Sequence, residues 1–449
     1  MRPRRLRTVF GLTLLTVFQL AVSQLSVSQL TAEVRTLTIL HTNDLHSRLT
    51  PLANHHGGFA NLATVIRDQQ KGCTDCILLN AGDLAQGSPV STIYKAAPVF
   101  EIANLFGFDA FTLGNHDFDY GWQQTRNFIQ MSKYPMVSAN VVDAQNHTLT
   151  PQPWLILKVN GLRVGIIGAM TDNLRYLTTT SLLGEWHTTP VVETVRRYVT
   201  ELRPQTDLIV VLAHIGPEEE KAFLAEPNVP VIVSGHLHSG MDHAQTTPDH
   251  ILVRVKGYGE QLGRLELKVE TDTKSVTSFT WKPILVDADT TKPAADVAAL
   301  VKLWEDKVAE VVDHPLATAK RQLTKAEVRT LLEQAMIQAS GADFAFMNSG
   351  GVRDILPQGQ LLVRHVWNIM PFDNRVSWGV FKGRDLPEII KKDRQIDPDK
   401  DYKLAVPDFV AANQEAPDTL HTKGLKFEGD SGLLRDALET LIRNRKVIE

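Results

Sequence analysis

Five apolar, β-rich runs of the sequence are each followed closely by side chains that can bind metal ions. In chain order these side chains are Asp44 and His46, Asp83, Asn115, His214, and His236 with His238. A lone histidine is more often structural, and Asn and Asp are common in turns because their side chains bond nearby backbone. Turn formation alone does not explain the same chemistry at five strand ends. The pattern therefore predicts a metal centre.

The residue types indicate which metals such a centre would hold. Imidazole and carboxylate groups together suit divalent Mn, Fe, Co or Zn, whereas a structural zinc site would be expected to use thiolates. Two ions about 3.5–4 Å apart need a shared anionic ligand and can clamp a phosphoryl group during in-line displacement. Asp83 follows its strand as a single carboxylate and is a natural bridge between two ions.

The elements that must position these residues alternate along the first two thirds of the chain. Apolar runs at 36–40, 77–80, 164–170, 208–214 and 229–235 predict strands, and amphipathic stretches at 57–71 and 191–203 predict helices. After residue 250 the pattern becomes strand-like throughout. Such alternation predicts an α/β domain, in which ligands gather beyond the carboxyl ends of the strands.

Length and charge narrow the class of protein. A chain of 449 residues exceeds one ordinary core and predicts two domains. The polar segment 287–293 marks a boundary, so we expect domains at 33–290 and 315–449, joined by an amphipathic helix within 291–314. With 43% hydrophobic residues and a formal net charge of −4, the chain lacks the basic surface expected of a protein that binds a nucleic acid polymer.

The N-terminus and the cysteines indicate the compartment. Residues 1–32 begin with four arginines within seven residues, followed by a short apolar run, which is the layout of a secretory signal peptide. We expect a periplasmic or secreted protein with no stable membrane span after cleavage; an uncleaved N-terminal anchor is the alternative. Cys73 and Cys76 are the only cysteines, and in an exported protein they form a small disulfide loop or stay as two free thiols.

The strand-end motifs, in their order, resemble those of the metallophosphoesterase superfamily. The motifs are D-x-H at Asp44, G-D at Asp83, G-N-H-D at Asn115, a lone histidine at His214, and G-H-x-H at His236. Over nearly all of its length after the leader, the chain is similar to the exported 5′-nucleotidase/UDP-sugar hydrolase family. This resemblance implies a four-layer α/β/β/α catalytic sandwich followed by a smaller mixed α/β substrate-binding domain.

The resemblance also implies the ligands of two divalent ions and the catalytic groups. One ion would be held by Asp44, His46, Asp83 and His238, and the other by Asp83, Asn115, His214 and His236. His116 and Asp119 match the catalytic dyad of the family, and a separation of three residues lets two side chains meet if the segment turns helically. Attack would come from hydroxide on the metals, since the cations lower the pKa of bound water.

The C-terminal domain is expected to select the substrate. Asn348, Gly350 and Arg353 lie in a segment that resembles the N-x-G-G-x-R loop of the family, and Arg321 aligns with a second phosphate-side arginine. The resemblance also places Phe372 and Phe409 where two aromatic rings stack on a nucleobase, a contact that any base can make. Without the resemblance, ordinary core packing would be the better interpretation of both Phe372 and Phe409.

Three departures from the family pattern leave the substrate open. The glycine-rich turn after the second aromatic is replaced by residues 413–417, with Glu415 near the position of the expected aspartate. The segment between the two aromatics is shortened, and an arginine upstream of Arg321 is missing. The activity that we expect is release of phosphate from nucleoside 5′-phosphates, and nucleotide sugars or cyclic nucleotides are further candidate substrates. The alternatives are a non-nucleotide phosphoester substrate, thiosulfohydrolase-like hydrolysis, or a binding protein that has kept only the fold.

Overall fold

The computed structural model describes residues 33–449, so the expected signal peptide at 1–32 lies outside the described residues. The strands of the N-terminal domain are β1 (Val34–Thr42), β2 (Cys76–Asn80), β3 (Ala110–Thr112), β4 (Met136–Val137), β5 (Val141–Val142), β6 (Trp154–Val159), β7 (Leu162–Met170), β8 (His187–Thr188), β9 (Leu208–His214), β10 (Val231–Gly235), β11 (Gln245–Thr247), β12 (His250–Val253), β13 (Gln261–Glu270) and β14 (Ser275–Leu285). The helices are α1 (Phe59–Gln70), α2 (Pro89–Tyr94), α3 (Ala97–Ala103), α4 (Trp122–Met131), α5 (Leu174–Leu177), α6 (Thr180–Leu183), α7 (Val191–Leu202) and α8 (Pro217–Phe223).

The N-terminal domain is a sandwich of two six-stranded sheets. One sheet has the order β14-β13-β1-β2-β3-β4, and the other has the order β11-β12-β10-β9-β7-β6. The strands that precede the site residues run parallel to one another within each sheet: β1, β2 and β3 in the first, and β9 and β10 in the second. Parallel strands covered on both faces are apolar throughout, which explains the continuous hydrophobic runs in the sequence.

Alternation along the strands divides the core into layers. Ile39 of β1 packs between the sheets, in the same cluster as Val210 of β9. Its neighbour Leu40 points to the opposite face and packs with Phe59 of α1, because successive strand side chains point to opposite faces. Helices α7 and α8 cover the outer face of the second sheet. The four layers are therefore α/β/β/α, as the resemblance implied.

A long helix, α9 (Ala295–Val312), follows the sandwich. Its buried residues Val297, Val301, Val308 and Val312 belong to the same cluster as the buried side chains of α1 and α3. The helix expected within 291–314 thus packs along the N-terminal domain, and its Glu305 also pairs with Arg364, which follows later in the chain. The domain limits at 33–290 and 315–449 stay a prediction.

The remaining elements form a second, smaller mixed α/β unit. Its strands are β15 (Pro315–Ala319), β16 (Phe344–Ala345), β17 (Gly359–Leu362), β18 (Arg375–Lys382), β19 (Asp401–Pro407), β20 (Gly429–Leu433) and β21 (Val447–Ile448). Its helices are α10 (Lys325–Ser340), α11 (Val363–Ile369), α12 (Glu388–Lys391), α13 (Asp408–Ala412) and α14 (Leu434–Arg445). Two sheets, β17-β15-β21 and β16-β19-β18-β20, organise this unit. The predicted two-domain α/β architecture is confirmed.

Two further observations bear on the sequence expectations. Cys73 and Cys76 are joined by a disulfide just before β2, so the first of the two expected states is the one present. Among helices in residues 33–449, none is both long enough and apolar enough to cross a bilayer.

Candidate active site

The candidate metal ligands meet at the carboxyl ends of strands from both sheets. Asp44 and His46 follow β1, Asp83 follows β2, and Asn115 follows β3. His214 is the last residue of β9, while His236 and His238 follow β10 in the opposite sheet. The seven side chains therefore converge between two sheets, and not along the edge of one open sheet. The structure brings all seven together, as the sequence predicted.

The first group of ligands is Asp44, His46, Asp83 and His238, whose donor atoms all lie within 4.8 Å of one another. The Nε2 atoms of His46 and His238 are 2.8 Å apart. Asp44 Oδ1 lies 3.4 Å from His238 Nε2, and Asp83 Oδ2 lies 3.6 Å from His46 Nε2. Two imidazole nitrogens facing each other at this distance, beside two carboxylates, form a set of donors that suits a cation.

The second group shares Asp83 and adds His214 and His236. His214 Nε2 lies 3.1 Å from Asp83 Oδ2 and 3.1 Å from Asn115 Oδ1. The other ring nitrogen of His214, Nδ1, is 2.8 Å from the carbonyl oxygen of Ala81, which fixes Nδ1 as the donor and leaves Nε2 for a ligand. One carboxylate thus belongs to both groups, as expected of a bridging ligand.

Several of these ligands have unusual backbone conformations. Positive φ angles, which residues with a Cβ rarely adopt, occur at five of the seven: Asp44, His46, Asp83, His236 and His238. Each such conformation costs about 1–3 kcal/mol and persists only when its surroundings enforce it. Backbone strain concentrated at one set of residues indicates that the positions of their side chains are needed for binding or chemistry.

The electrostatics at three of the four candidate histidine ligands also fit bound cations, whereas at the fourth, His214, burial is outweighed by the carboxylates of Asp83 and Asp44, which raise the pKa. Burial lowers the pKa of His236 to about 3, and the neighbouring His214 acts in the same direction. Burial likewise keeps the pKa values of His46 and His238 well below the ordinary value. These imidazoles are therefore neutral at physiological pH, and neutral imidazole is the form that binds metal. Together with Asp44 and Asp83, they form a donor set of the kind preferred by Mn, Fe, Co or Zn.

His116 and Asp119 form the expected pair beside the metal ligands. The segment Asn115–Phe118 is a 3-10 turn, and it brings His116 Nδ1 to 2.8 Å from Asp119 Oδ2. Burial acts to lower the pKa of His116, but the carboxylates of Asp119 and Asp83 outweigh it and raise the pKa. The ring lies 5.2 Å from that of His46, so an imidazole whose pKa is raised stands next to the candidate ligand clusters.

Asp117, for which no metal role is expected, ties the surrounding loops together. Its carboxylate accepts hydrogen bonds from the backbone N–H groups of Leu84, Ala85 and Gly114. Gly114 itself must be small, because a Cβ there would lie 2.1 Å from Asp83 Oδ1. The motif around residue 115 thus holds Asp83 in place as well as supplying Asn115 and His116.

A cavity of about 700 Å³ joins this centre to the C-terminal domain. Five of the six residues expected to contact substrate line it: Asn348, Gly350, Arg353, Phe372 and Phe409. Arg353 Nη2 lies 3.4 Å from His46 Nε2, and the guanidinium carbon lies 5.9 Å from the centre of the Phe372 ring. The basic and aromatic groups of one domain therefore face the candidate metal ligands of the other.

Arg321 is the expected substrate residue that the structure does not bring to the cavity. Its side chain is 55% exposed and donates from Nη2 to Glu327 Oε1 at 2.7 Å. Glu327 also closes the capping box of α10 with Thr324. The first turn of α10 thus provides the carboxylate that holds this guanidinium, away from the site.

Three residues at the site were not found from the sequence. Tyr258 Oη lies 3.1 Å from His238 Nδ1, and Gln86 and Asp418 line the cavity. Asp418 accepts hydrogen bonds from Ser349 Oγ and the backbone N–H of Gly350, and it lines the cavity, whereas Glu415, the residue near the position of the missing aspartate, does not. Gln86 lies three residues after Asp83, and this closeness was the only sequence signal for any of the three.

Known proteins share this arrangement. Residues 37–240 match the calcineurin-like phosphoesterase family, and residues 307–395 match the 5′-nucleotidase C-terminal domain. The crystal structure of a 5′-nucleotidase precursor from Thermus thermophilus has a TM-score of 0.81 and 22% identity, covering 92% of this chain and 97% of that chain. At that identity the likeness establishes the fold.

Relatives in sequence extend the comparison. Endonuclease YhcR of Bacillus subtilis is 26% identical over 414 residues, covering 82% of this chain but only 34% of that protein, so this chain spans about a third of it. The 5′-nucleotidase of Rattus norvegicus is 30% identical over 410 residues, covering 78% of this chain and 70% of that protein. With both domains matched in order, the chain belongs to the 5′-nucleotidase family of metallophosphoesterases and is a hydrolase of phosphoric esters.

Proposed function

We propose that this chain is an exported phosphohydrolase that uses two divalent metal ions to release phosphate from nucleoside 5′-phosphates. Nucleotide sugars and cyclic nucleotides are further candidate substrates. The observation that carries the proposal is the shared carboxylate of Asp83, which links two groups of metal ligands at a cavity also lined by Phe372 and Phe409. A cavity with an anion-binding end and an aromatic end suits a nucleotide.

The side chains of this protein have separate tasks in the proposed reaction. Bound divalent ions would polarise the phosphoryl group and lower the pKa of water. Arg353 would bind phosphoryl oxygens through its planar guanidinium. His116, held by Asp119, would donate a hydrogen bond to the phosphoryl or leaving oxygen, where negative charge develops. Phe372 and Phe409 would stack on the base.

Export is supported by the sequence and by one structural feature. Residues 1–32 have the layout of a signal peptide. The Cys73–Cys76 disulfide is of the kind that persists in oxidising compartments.

The experiment is a metal and substrate survey of the full chain produced in an exporting host. Bound metals are measured, and phosphate release is assayed from AMP, UDP-glucose, a cyclic nucleotide and p-nitrophenyl phosphate with Mn, Co or Zn. We expect two ions per chain and release from AMP. Asp83→Asn should abolish both the binding of two ions and phosphate release from AMP. Asp143→Asn, at a turn carboxylate that is not among the candidate ligands, should preserve both properties. Release from p-nitrophenyl phosphate alone would indicate a non-nucleotide phosphoester, and no release from any ester would reject the proposal.

A further inference from the structure

Gln86 is a buried amide that the ligand set and the dyad do not use. Only 1% of it is exposed, and it lines the cavity between the two domains. Its φ angle of +66° lies in the left-handed region that residues with a Cβ rarely adopt. Neither Nε2 nor Oε1 of its amide has a hydrogen-bond partner within the described chain. Buried polar groups are normally paired, so this amide requires an explanation.

The backbone around Gln86 is held tightly, which argues against a loosely placed side chain. Its N–H donates to Ser91 Oγ at 2.8 Å, and the preceding N–H of Ala85 donates to Asp117 Oδ1 at 3.0 Å. The following Gly87 packs so closely on the loop of His46 that an added Cβ would lie 2.6 Å from the His46 carbonyl oxygen. The backbone of Gln86 is thus fixed in place by groups that leave the polar atoms of its side-chain amide without a partner.

The backbone position of Gln86 and its place in the cavity lining indicate which part of a substrate this amide would meet. Gln86 lies three residues after Asp83, and its neighbour Gly87 contacts the backbone of His46. Arg353 Nη2 is 3.4 Å from the ring of the same His46, so the anion-binding end of the cavity is at this histidine. A phosphoryl group offers only acceptors to its surroundings unless it is protonated, and the NH₂ of an amide offers two donors.

We propose that Gln86 binds the phosphoryl group of the substrate, with Nε2 donating a hydrogen bond to a phosphoryl oxygen. This role deepens the proposed function and rests on it for the identity of the substrate. The strained backbone and the unpaired amide are then features kept for binding. A strained residue with an unpaired buried amide lowers the free energy of unfolding of the ligand-free protein. When a ligand pairs with that amide, the free energy of unfolding rises.

The test compares Gln86→Met with wild type, since methionine has similar length and no amide. The dissociation constant of inorganic phosphate is measured by calorimetry on the metal-loaded full chain, together with Tm, bound metal and kcat/KM for AMP and p-nitrophenyl phosphate. We expect Tm to be equal or higher, because an unpaired buried amide is removed, and metal content to be unchanged. Phosphate affinity and both kcat/KM values should fall about 10- to 100-fold, the size of a lost hydrogen bond to a charged group.

Two further variants sharpen the result. Gln86→Glu keeps the shape but replaces the donors with a carboxylate, so phosphate affinity should fall further than in Gln86→Met. Gln123→Met, at an exposed glutamine outside the cavity, should leave every readout unchanged. A lower Tm or lost metal in Gln86→Met, or wild-type phosphate affinity in either Gln86 variant, would overturn this proposal. If wild type hydrolyses no phosphoester but binds phosphate through Gln86, the proposed function fails while this assignment stands.

Discussion

At the scale of single residues, the site separates the candidate metal ligands from the side chains proposed to face substrate. Asn115 Oδ1 lies 3.1 Å from His214 Nε2, within the second group of ligands. His116, the next residue, points its Nδ1 at Asp119. Its backbone N–H also donates to Asp83 Oδ1 at 2.8 Å, so the dyad and the shared carboxylate are fixed relative to each other. One short turn therefore connects the candidate metal ligands to the proposed catalytic pair.

The first residue-scale prediction concerns the dyad. His116→Ala should retain both metal ions and reduce kcat by about 10²–10⁴-fold, the range for removal of a positioned proton donor. Asp119→Asn should reduce kcat less, because the imidazole remains but loses the carboxylate that orients it and keeps it cationic. Metal analysis and steady-state kinetics on the same preparations check both effects. Loss of metal from His116→Ala would show that this histidine is a ligand and overturn its assignment.

The second prediction concerns Tyr258, whose hydroxyl lies 3.1 Å from His238 Nδ1. Such an outer hydrogen bond fixes the tautomer and orientation of a ligating histidine. Tyr258→Phe should weaken the affinity for divalent ions by about 10- to 100-fold while leaving the fold intact. Titration of the metal-free protein with Zn or Mn measures this directly. Tyr176→Phe, at a tyrosine outside the two ligand groups, is the matched control, and equal affinities in both variants would contradict the prediction.

At the scale of elements, strand β1 contains a second kind of buried histidine. His41 is fully buried, stacks on Trp281 with 5.3 Å between ring centres, and pairs across the ladder with Gly263. A Cβ on Gly263 would lie 2.2 Å from His41 Nε2, so glycine is required opposite this ring. Neither ring nitrogen of His41 finds a hydrogen-bond partner among residues 33–449. The imidazole is therefore a packing group in an apolar layer.

The buried His41 of β1 makes the free energy of unfolding depend on pH. Burial lowers the pKa of His41 to about 3, whereas the unfolded chain has a value near 6.5. Because the native state disfavours the proton, the stabilisation is complete above pH 6.5 and is lost as the pH falls toward 3. At about pH 5 the loss from this one group is about 2 kcal/mol.

His41→Phe should remove this pH-dependent contribution to the free energy of unfolding. Between about pH 7.5 and about pH 5, the unfolding free energy of the variant should fall by about 2 kcal/mol less than that of wild type. Denaturant titrations at the two pH values provide the measurement, and the difference from wild type cancels the contribution of the metal-binding histidines. His187→Phe, at an exposed position, serves as control. Identical pH dependence in wild type and His41→Phe would refute the assignment.

At the scale of the whole molecule, the active site is completed by contact between the domains. Arg48, buried behind β1, pairs with Asp354 of the C-terminal domain at 3.0 Å. Thr92 Oγ1 donates to the carbonyl oxygen of Pro371 at 2.8 Å, next to Phe372. The ring of Phe372 lies 5.9 Å from that of His116. The group expected to stack on a base is thus held beside the proposed catalytic pair by contacts between the domains.

This arrangement predicts a division of labour between the domains. Phe409→Ala should raise KM for AMP about 10-fold or more, since stacking on an aromatic ring contributes about 1–3 kcal/mol per base. Its kcat/KM for p-nitrophenyl phosphate, which lacks a nucleobase, should change less than threefold. Phe381→Ala, at an aromatic residue of the same domain outside the cavity, controls for general destabilisation. Equal losses on both substrates would show that Phe409 does not recognise the base.

The strand-end motifs were predictable because each depends on local sequence. Five apolar runs end in ligand residues, and parallel strands place their carboxyl ends together whatever the loops contain. The structure confirms the predicted fold and brings the seven ligands together. Arg321 was predicted by alignment alone, and Glu327, a carboxylate in the first turn of the next helix, captures it. Short-range pairing of that kind depends on side-chain placement that spacing does not specify.

By itself, the sequence determined the α/β alternation and the residue types that could bind metal, since periodicity and strand-end chemistry are local properties. The pair at His116 and Asp119 followed from its resemblance to a known family. Only the tertiary structure showed that the ligands come from two facing sheets. It alone revealed Gln86, Tyr258 and Asp418 at the site, because these residues reach it through loops. Loop paths are set by packing between distant segments, such as the contact of Asp418 with Gly350, and such contacts leave no periodic pattern in the chain.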